Sequence, residues 1–281
     1  MDSGSRGSQV QEIDGAIRMG EVFQPLMEPV VRAAIDTLGL PSGSRGLDAG
    51  CGIGLQARLL AEAVGPDGHV AGLDISPEML AHGREIADAA GLSERLSFRE
   101  GDVRTLPFEA DAFDWAWSAN CVGYAAPIEP LSAVKELARV VGPGGTVAIL
   151  AWSSERLLPG HPLLEARLGA TSSGIAPFVK GTNPQRHFHR ALGWFRKAGL
   201  ANVAARTFAG GAHAPLREDL RAALIALFGM RWPGVEPELT KEERKAYRRL
   251  CLPESPEFIL NHPDYYGFFT CSMFSGTVAG R

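Results

Sequence analysis

The stretch Arg45-Gly46-Leu47-Asp48-Ala49-Gly50-Cys51-Gly52-Ile53-Gly54 decides the architecture. Residues 45–49 read as a short strand, and the glycines after it open a helix from about Leu55 to Val64. Glycines here allow a tight turn and let a ligand approach the backbone. A dinucleotide fingerprint, GxGxxG, would need glycine at 50, 52 and 55. Position 55 is leucine, and the third glycine, Gly54, comes one residue early. Asp48 stands two residues before the first glycine. A pyrophosphate at this helix start would be repelled by that carboxylate, whereas a cationic ligand group would be drawn to it. The loop therefore disfavours a nicotinamide-dependent oxidoreductase.

Downstream, Gly65-Pro66-Asp67-Gly68 is a turn, and His69 to Asp74 reads as a second strand. Ser76-Pro77-Glu78 supplies an N-cap, a proline at the first helical position and a first-turn acid for a helix ending at Gly91. Leu96 to Glu100 is a third strand, running into Gly101-Asp102, and Phe113 to Ser118 a fourth. A helix marked by Leu131, Val134, Leu137 and Val141 stops at Gly142-Pro143-Gly144-Gly145, and Thr146 to Trp152 is a fifth strand. Strands alternating with helices of this length imply right-handed βαβ units and a parallel sheet. Asp48, Asp74 and Asp102 then fall at the carboxyl edge of three strands, where such sheets bind ligands.

Upstream, an amphipathic helix is predicted from Pro25 to its stop at Gly39, preceded by a loose Ser/Gly-rich tail over Met1 to Gln9 that lacks the apolar core of a signal peptide. Beyond residue 152 the pattern changes. Short elements are predicted at Arg190–Ala198 and Asn202–Phe208, and an apolar helix over Leu216–Leu227. A capping box, Thr240 with Glu243, opens a charged helix, and the aromatic and β-branched run Tyr265–Val278 closes the sheet.

The chain has 281 residues, 45% hydrophobic and 21% charged, which excludes disordered, collagen-like and coiled-coil classes. A net charge of -4 argues against a nucleic-acid partner. No apolar run is long enough for a membrane span. Cys51, Cys121, Cys251 and Cys271 form neither a disulfide framework nor a zinc pattern, so no metal is expected and a reduced cytoplasmic setting fits.

The segment from Gly46 to Gly54 resembles motif I of the class I S-adenosylmethionine-dependent methyltransferases. Gly65 to Leu80, Gly101-Asp102-Val103 with Leu106-Pro107-Phe108, and Gly142 to Gly145 resemble the ubiquinone/menaquinone-biosynthesis type of small-molecule methyltransferase. The resemblance covers about residues 40–152. It implies an α/β fold: a Rossmann-like, doubly wound, seven-stranded sheet with the last strand antiparallel and helical insertions in the C-terminal half forming a lid. It also implies S-adenosyl-L-methionine as cofactor and a small-molecule methyl acceptor.

By the same resemblance, Asp48 and the backbone of Gly50, Cys51, Gly52 and Gly54 would hold the amino-acid part of the cofactor. Asp74 would take the ribose hydroxyls, with Ile75 and Met79 beside ribose and adenine. Asp102 and Val103 would meet the adenine, Ser118 the methionine portion, and Arg18 the cofactor carboxylate. The cofactor carries a sulfonium and an ammonium but no phosphate, which suits a carboxylate-built site.

The expected organisation is an N-terminal helical cover over 1–39, a cofactor-binding core over 40–152 and an acceptor lid that completes the sheet over 153–281. Fifteen of 22 aromatic residues and five of seven histidines follow residue 151, which suits an apolar or aromatic acceptor, although ordinary core packing also places aromatics there. If the acceptor must lose a proton, His189 and Tyr124 lead the candidate bases, with His187, His161 and His213 behind them. A non-catalytic cofactor-binding module is the alternative, since no base is fixed by the sequence.

Overall fold

The computed structural model describes residues 3–124, 128–178 and 181–280. Seven strands form one sheet in the order β3-β2-β1-β4-β5-β7-β6. The parallel half consists of β1 (Arg45–Ala49), β2 (His69–Asp74), β3 (Leu96–Glu100), β4 (Phe113–Ala119) and β5 (Val141–Arg156). At the other edge β7 (Tyr266–Val278) runs antiparallel between β5 and β6 (Leu200–His213). This is the expected doubly wound sheet with its last strand reversed. Helices α2 (Leu55–Ala63), α3 (Pro77–Ala89) and α4 (Pro130–Val140) connect the parallel strands close to where they are predicted.

Alternation along β4 shows how the two faces are filled. Trp115 and Trp117 join the core beneath α1 (Ser3–Leu38) and α2, while Ala116, between them, joins the core beneath α4 and α6 (Ala191–Lys197), α5 (Pro162–Gly169) lying between these two in the chain. Trp115 also reaches out of the sheet, its Nε1 donating to Ser44 Oγ at 2.9 Å. Both cores draw residues from each half of the chain.

Three departures from expectation shape the site. Helix α1 spans Ser3–Leu38, so the predicted loose tail is helical from Ser3 on, and Met1 and Asp2 lie outside the described residues. Pro25 and Pro29 sit inside this helix rather than at its start. Its C-terminal half buries Leu26, Val30, Val31, Ala34 and Ile35, and that packing outweighs the missing proline N–H groups. Strands β5 and β6 extend well beyond their predicted limits: β6 pairs along the whole of β7, while β5 pairs with residues 268–277 of β7 and, at its start, through Val141 with Phe113 of β4.

The helical insertion, with α7 (Glu218–Arg231) and α8 (Lys241–Cys251), leaves from the end of β6 and returns into β7. Its base is closed where His213 pairs with Tyr266 and Ala214 N–H donates to Tyr265 O at 2.9 Å. The capping box of α8 forms as predicted, with Thr240 and Glu243 bonding reciprocally. No helix is long and apolar enough to cross a membrane among the described residues.

Candidate active site

The loop from Gly50 to Gly54 owes its shape to backbone conformations that side-chain-bearing residues rarely adopt. Gly50 has φ +79° and Gly54, at the start of α2, φ +72°. A β-carbon on Gly50 would lie 2.6 Å from Cys121 Sγ, and one on Gly54 2.7 Å from Phe98. The loop folds onto β2: the N–H groups of Gly50 and Cys51 both donate to Leu73 O, at 2.7 and 2.9 Å.

Asp74, at the end of β2, accepts from Gly52 N–H at 2.8 Å and Ser76 N–H at 3.1 Å. Gly101 N–H bonds the carbonyl of Asp74 at 2.9 Å, which brings Asp102 to the same edge of the sheet. Both carboxylate oxygens of Asp102 are engaged by Arg104, and these hydrogen bonds hold its carboxyl below the usual range.

Asp48 is only 1% exposed, and its Oδ2 has no hydrogen-bond partner. Burial, reinforced by the nearby Asp74, pushes its carboxyl up to about 8 against the opposing hydrogen bond from Ala57 N–H. A buried carboxylate with one oxygen unpartnered among the described residues is costly, and a cationic ligand group relieves that cost. Burial also pushes up the thiols of Cys51 and Cys121, first and foremost, with the neighbouring carboxylates adding to it. Both therefore stay neutral and pack as small apolar groups.

Asp48, Gly50, Cys51 and Gly52 form one end of a cavity of about 470 Å³. Met19, Phe23 and Met27 of α1, Leu227 and Met230 of α7, and Trp152 of β5 form much of its apolar wall. Trp152 is braced from behind by Phe269, with ring centroids 4.3 Å apart and planes 7° from parallel. Arg231 meets Glu155 at 2.7 Å, with side chains only 14% and 11% exposed, and also donates to the carbonyls of Gly174 and Ala176. Tyr124 lines the cavity, and burial pushes its hydroxyl above the ordinary tyrosine range. It is therefore a donor near neutral pH rather than a base.

The other predicted site residues fall in varied places. Met79 lines the cavity, and Val103 packs within 4.0 Å of where a Gly50 β-carbon would stand. Ile75 is 67% exposed just beyond Asp74. Ser118 is at the predicted strand end, but its Oγ donates to Ala49 O at 2.7 Å, so it clamps β4 to β1; Ala119 and Asn120 line the cavity in its place. Arg18 is exposed on α1 and is not among the lining residues. His189 is exposed on a short 3-10 turn outside the cavity, its N–H donating to His187 Nδ1, because Phe188 takes the buried position of that turn. Among the described residues no cluster suited to a metal ion occurs.

Fold and site together define a Rossmann-like architecture with a buried carboxyl beside a glycine loop, an arrangement that suits a cationic ligand group better than a phosphate. Comparison with known proteins agrees. Residues 47–145 match the family described as Methyltransferase domain. The demethylmenaquinone methyltransferase of Staphylococcus aureus is 30% identical over 191 residues, 62% of this chain and 75% of that protein. The chloroplastic tocopherol O-methyltransferase of Arabidopsis thaliana is 30% identical over 164 residues, 58% of this chain but only 42% of that protein, so the chain spans less than half of that relative's length. The fold matches a SAM-dependent methyltransferase from Aquifex aeolicus with a TM-score of 0.50 at 22% identity, covering 68% of this chain and 89% of that one. The chain belongs to the class I S-adenosylmethionine-dependent methyltransferase family.

Proposed function

We propose that this protein transfers the methyl group of S-adenosylmethionine to an oxygen, nitrogen or carbon atom of a small apolar or aromatic metabolite. One observation carries this reading: a single cavity joins the buried carboxyl of Asp48, whose Oδ2 has no partner among the described residues, to a wall of Met, Phe and Trp side chains. S-adenosylmethionine supplies an electrophilic methyl group whose C–S bond breaks with its electron pair passing to sulfur. Asp48 would face the ammonium group and the Gly50–Gly54 backbone would cradle the methionine portion. Asp74 would receive the ribose hydroxyls, with Asp102 and Val103 at the adenine.

On the acceptor side the protein's work is alignment and exclusion of water. Trp152, held flat by Phe269, offers a rigid surface to a planar acceptor. Tyr124 would donate to a polar group on it. Residues 40–152 would then hold the cofactor, 1–39 cover it and 153–281 shape the acceptor's surroundings. The tocopherol and demethylmenaquinone enzymes support a ring-bearing acceptor by likeness. Four free cysteines suit a cytoplasmic setting.

Calorimetric titration with S-adenosylmethionine, S-adenosylhomocysteine and NADH tests the cofactor half. Saturable binding of the two sulfur compounds and none of NADH is expected; NADH binding alone would overturn it. Formation of S-adenosylhomocysteine across a panel of small hydroxylated and amino-substituted aromatics tests the transfer half. Tight cofactor binding without turnover on such a panel favours a binding module.

A further inference from the structure

Asn120 stands just past β4, at the junction of the cofactor end and the apolar wall, and it lines the cavity beside Ala119, Tyr124 and Trp152. Its backbone is left-handed, with φ +49°, a conformation asparagine tolerates better than most residues. Two bonds fix it there. Its N–H donates to Leu150 O at 2.8 Å, and its Oδ1 accepts from Trp152 N–H at 2.9 Å.

The second bond determines which way the amide faces. Trp152 N–H is a donor, so the oxygen must meet it, and Nδ2 takes the opposite corner of the amide plane. Nδ2 has no hydrogen-bond partner among the described residues. Several other polar groups on the wall are already engaged. Gln56 Oε1 accepts from Trp117 Nε1 at 2.8 Å, Arg231 is held by Glu155 and the carbonyls of Gly174 and Ala176, and the loop N–H groups of Gly50, Cys51 and Gly52 are bonded to Leu73 and Asp74. Among the described residues the amide of Asn120, an exposed residue, keeps a donor with no protein partner, as do the Tyr124 hydroxyl and Gln56 Nε2; that of Asn120 is aimed by a bond to the backbone.

We propose that Asn120 orients the methyl acceptor, its side-chain N–H groups donating to an acceptor oxygen adjacent to the atom that is methylated. The assignment rests on the methyltransferase reading given above. It makes Asn120 a specificity-determining residue: acceptors lacking that oxygen forgo this hydrogen bond.

The test compares binding of 1-tetralone, whose carbonyl only accepts, with binding of tetralin, which lacks the oxygen, to protein saturated with S-adenosylhomocysteine. Wild type should prefer the ketone by roughly five- to tenfold, the scale of one net hydrogen bond. Asn120→Asp keeps the oxygen that Trp152 N–H needs but removes the donors. Asn120→Gly keeps the left-handed backbone but removes the side chain. Both should bind S-adenosylhomocysteine within about threefold of wild type and bring the two probes to parity, or reverse their order in Asn120→Asp. A ketone preference that survives in Asn120→Asp, or that is absent in wild type, overturns this assignment alone. Loss of preference only in Asn120→Gly shows that the residue merely holds Trp152, and also overturns it. A wild type that binds no S-adenosylhomocysteine overturns the methyltransferase reading and this assignment with it.

Discussion

The two ends of the cavity are built by different means. At the end proposed to hold the cofactor, Asp48, Gly50, Gly52, Gly54 and Asp74 lie within one βαβ unit, and their positions follow from strand ends and backbone hydrogen bonds. At the end proposed to hold the acceptor, Met19, Asn120, Trp152 and Met230 come from four separate segments and meet only because helices dock on the sheet. The first end is fixed by local geometry, the second by tertiary packing. Changes at the first should weaken cofactor binding whatever the acceptor; changes at the second should alter acceptor binding and leave the cofactor alone.

The largest break in that comparison is expected from Gly50→Val. The new side chain combines left-handed strain with a clash against Cys121, together ~2–5 kcal/mol. Calorimetry on folded protein should show cofactor affinity falling by the corresponding factor, and unchanged affinity would remove the loop from the site.

Asp48 predicts a pH effect on the order of a few kcal/mol. Its folded-state value, about 8, is above the ordinary 3.8, so the folded protein retains a proton that the unfolded chain has lost between those values. Ligand-free stability should therefore decline as pH rises from about 4 to about 8, and Asp48→Asn should flatten that decline in thermal melts. An ammonium group placed beside Asp48 lowers its value again. Cofactor binding at pH 7 should then release up to one proton, seen as a dependence of the calorimetric enthalpy on buffer ionisation heat. No such dependence would separate Asp48 from the cofactor.

Replacing Asp74 by Ala should cost ~1–3 kcal/mol of cofactor affinity, through lost bonds to the ligand and a loosened Gly52. Equal affinity in the variant would sink the ribose assignment. The smallest effect is expected at the other end. Trp152→Leu should weaken tetralin binding by ~0.5–1.5 kcal/mol while S-adenosylhomocysteine binds as before. A matching loss in both would mean the two ends are not separable.

The same division explains what the sequence made legible. Asp48 and the glycines are readable because each answers a backbone requirement that few residues meet, and strand ends fall where turns are marked. The α1 wall was hidden by its composition: a Ser/Gly-rich start and two internal prolines argue against helix locally, and only burial of its C-terminal half reverses that. The Arg231–Glu155 pair joins residues 76 positions apart, and no spacing rule predicts it. Ser118 and His189 show the limit of reading position without orientation. Ser118 is at the right strand end but turns its hydroxyl to Ala49, and His189 is one residue from a buried Phe188 yet faces outward. Asn120 carried one usable signal, a polar residue with left-handed tendency following an apolar strand.

The helical insertion is tied to the sheet at its base and to the core along its length. Residues 214–265 leave and re-enter the sheet through a single rung between His213 and Tyr266. Leu224, Leu227, Phe228 and Trp232 of that segment share one core with Leu26 and Val30 of α1 and Trp117 of β4, so the segment is rooted by packing as well as by the rung. A change in its length would therefore reach the cavity wall at Leu227, Met230 and Arg231, while the Gly50–Gly54 loop keeps its own bonds to β2.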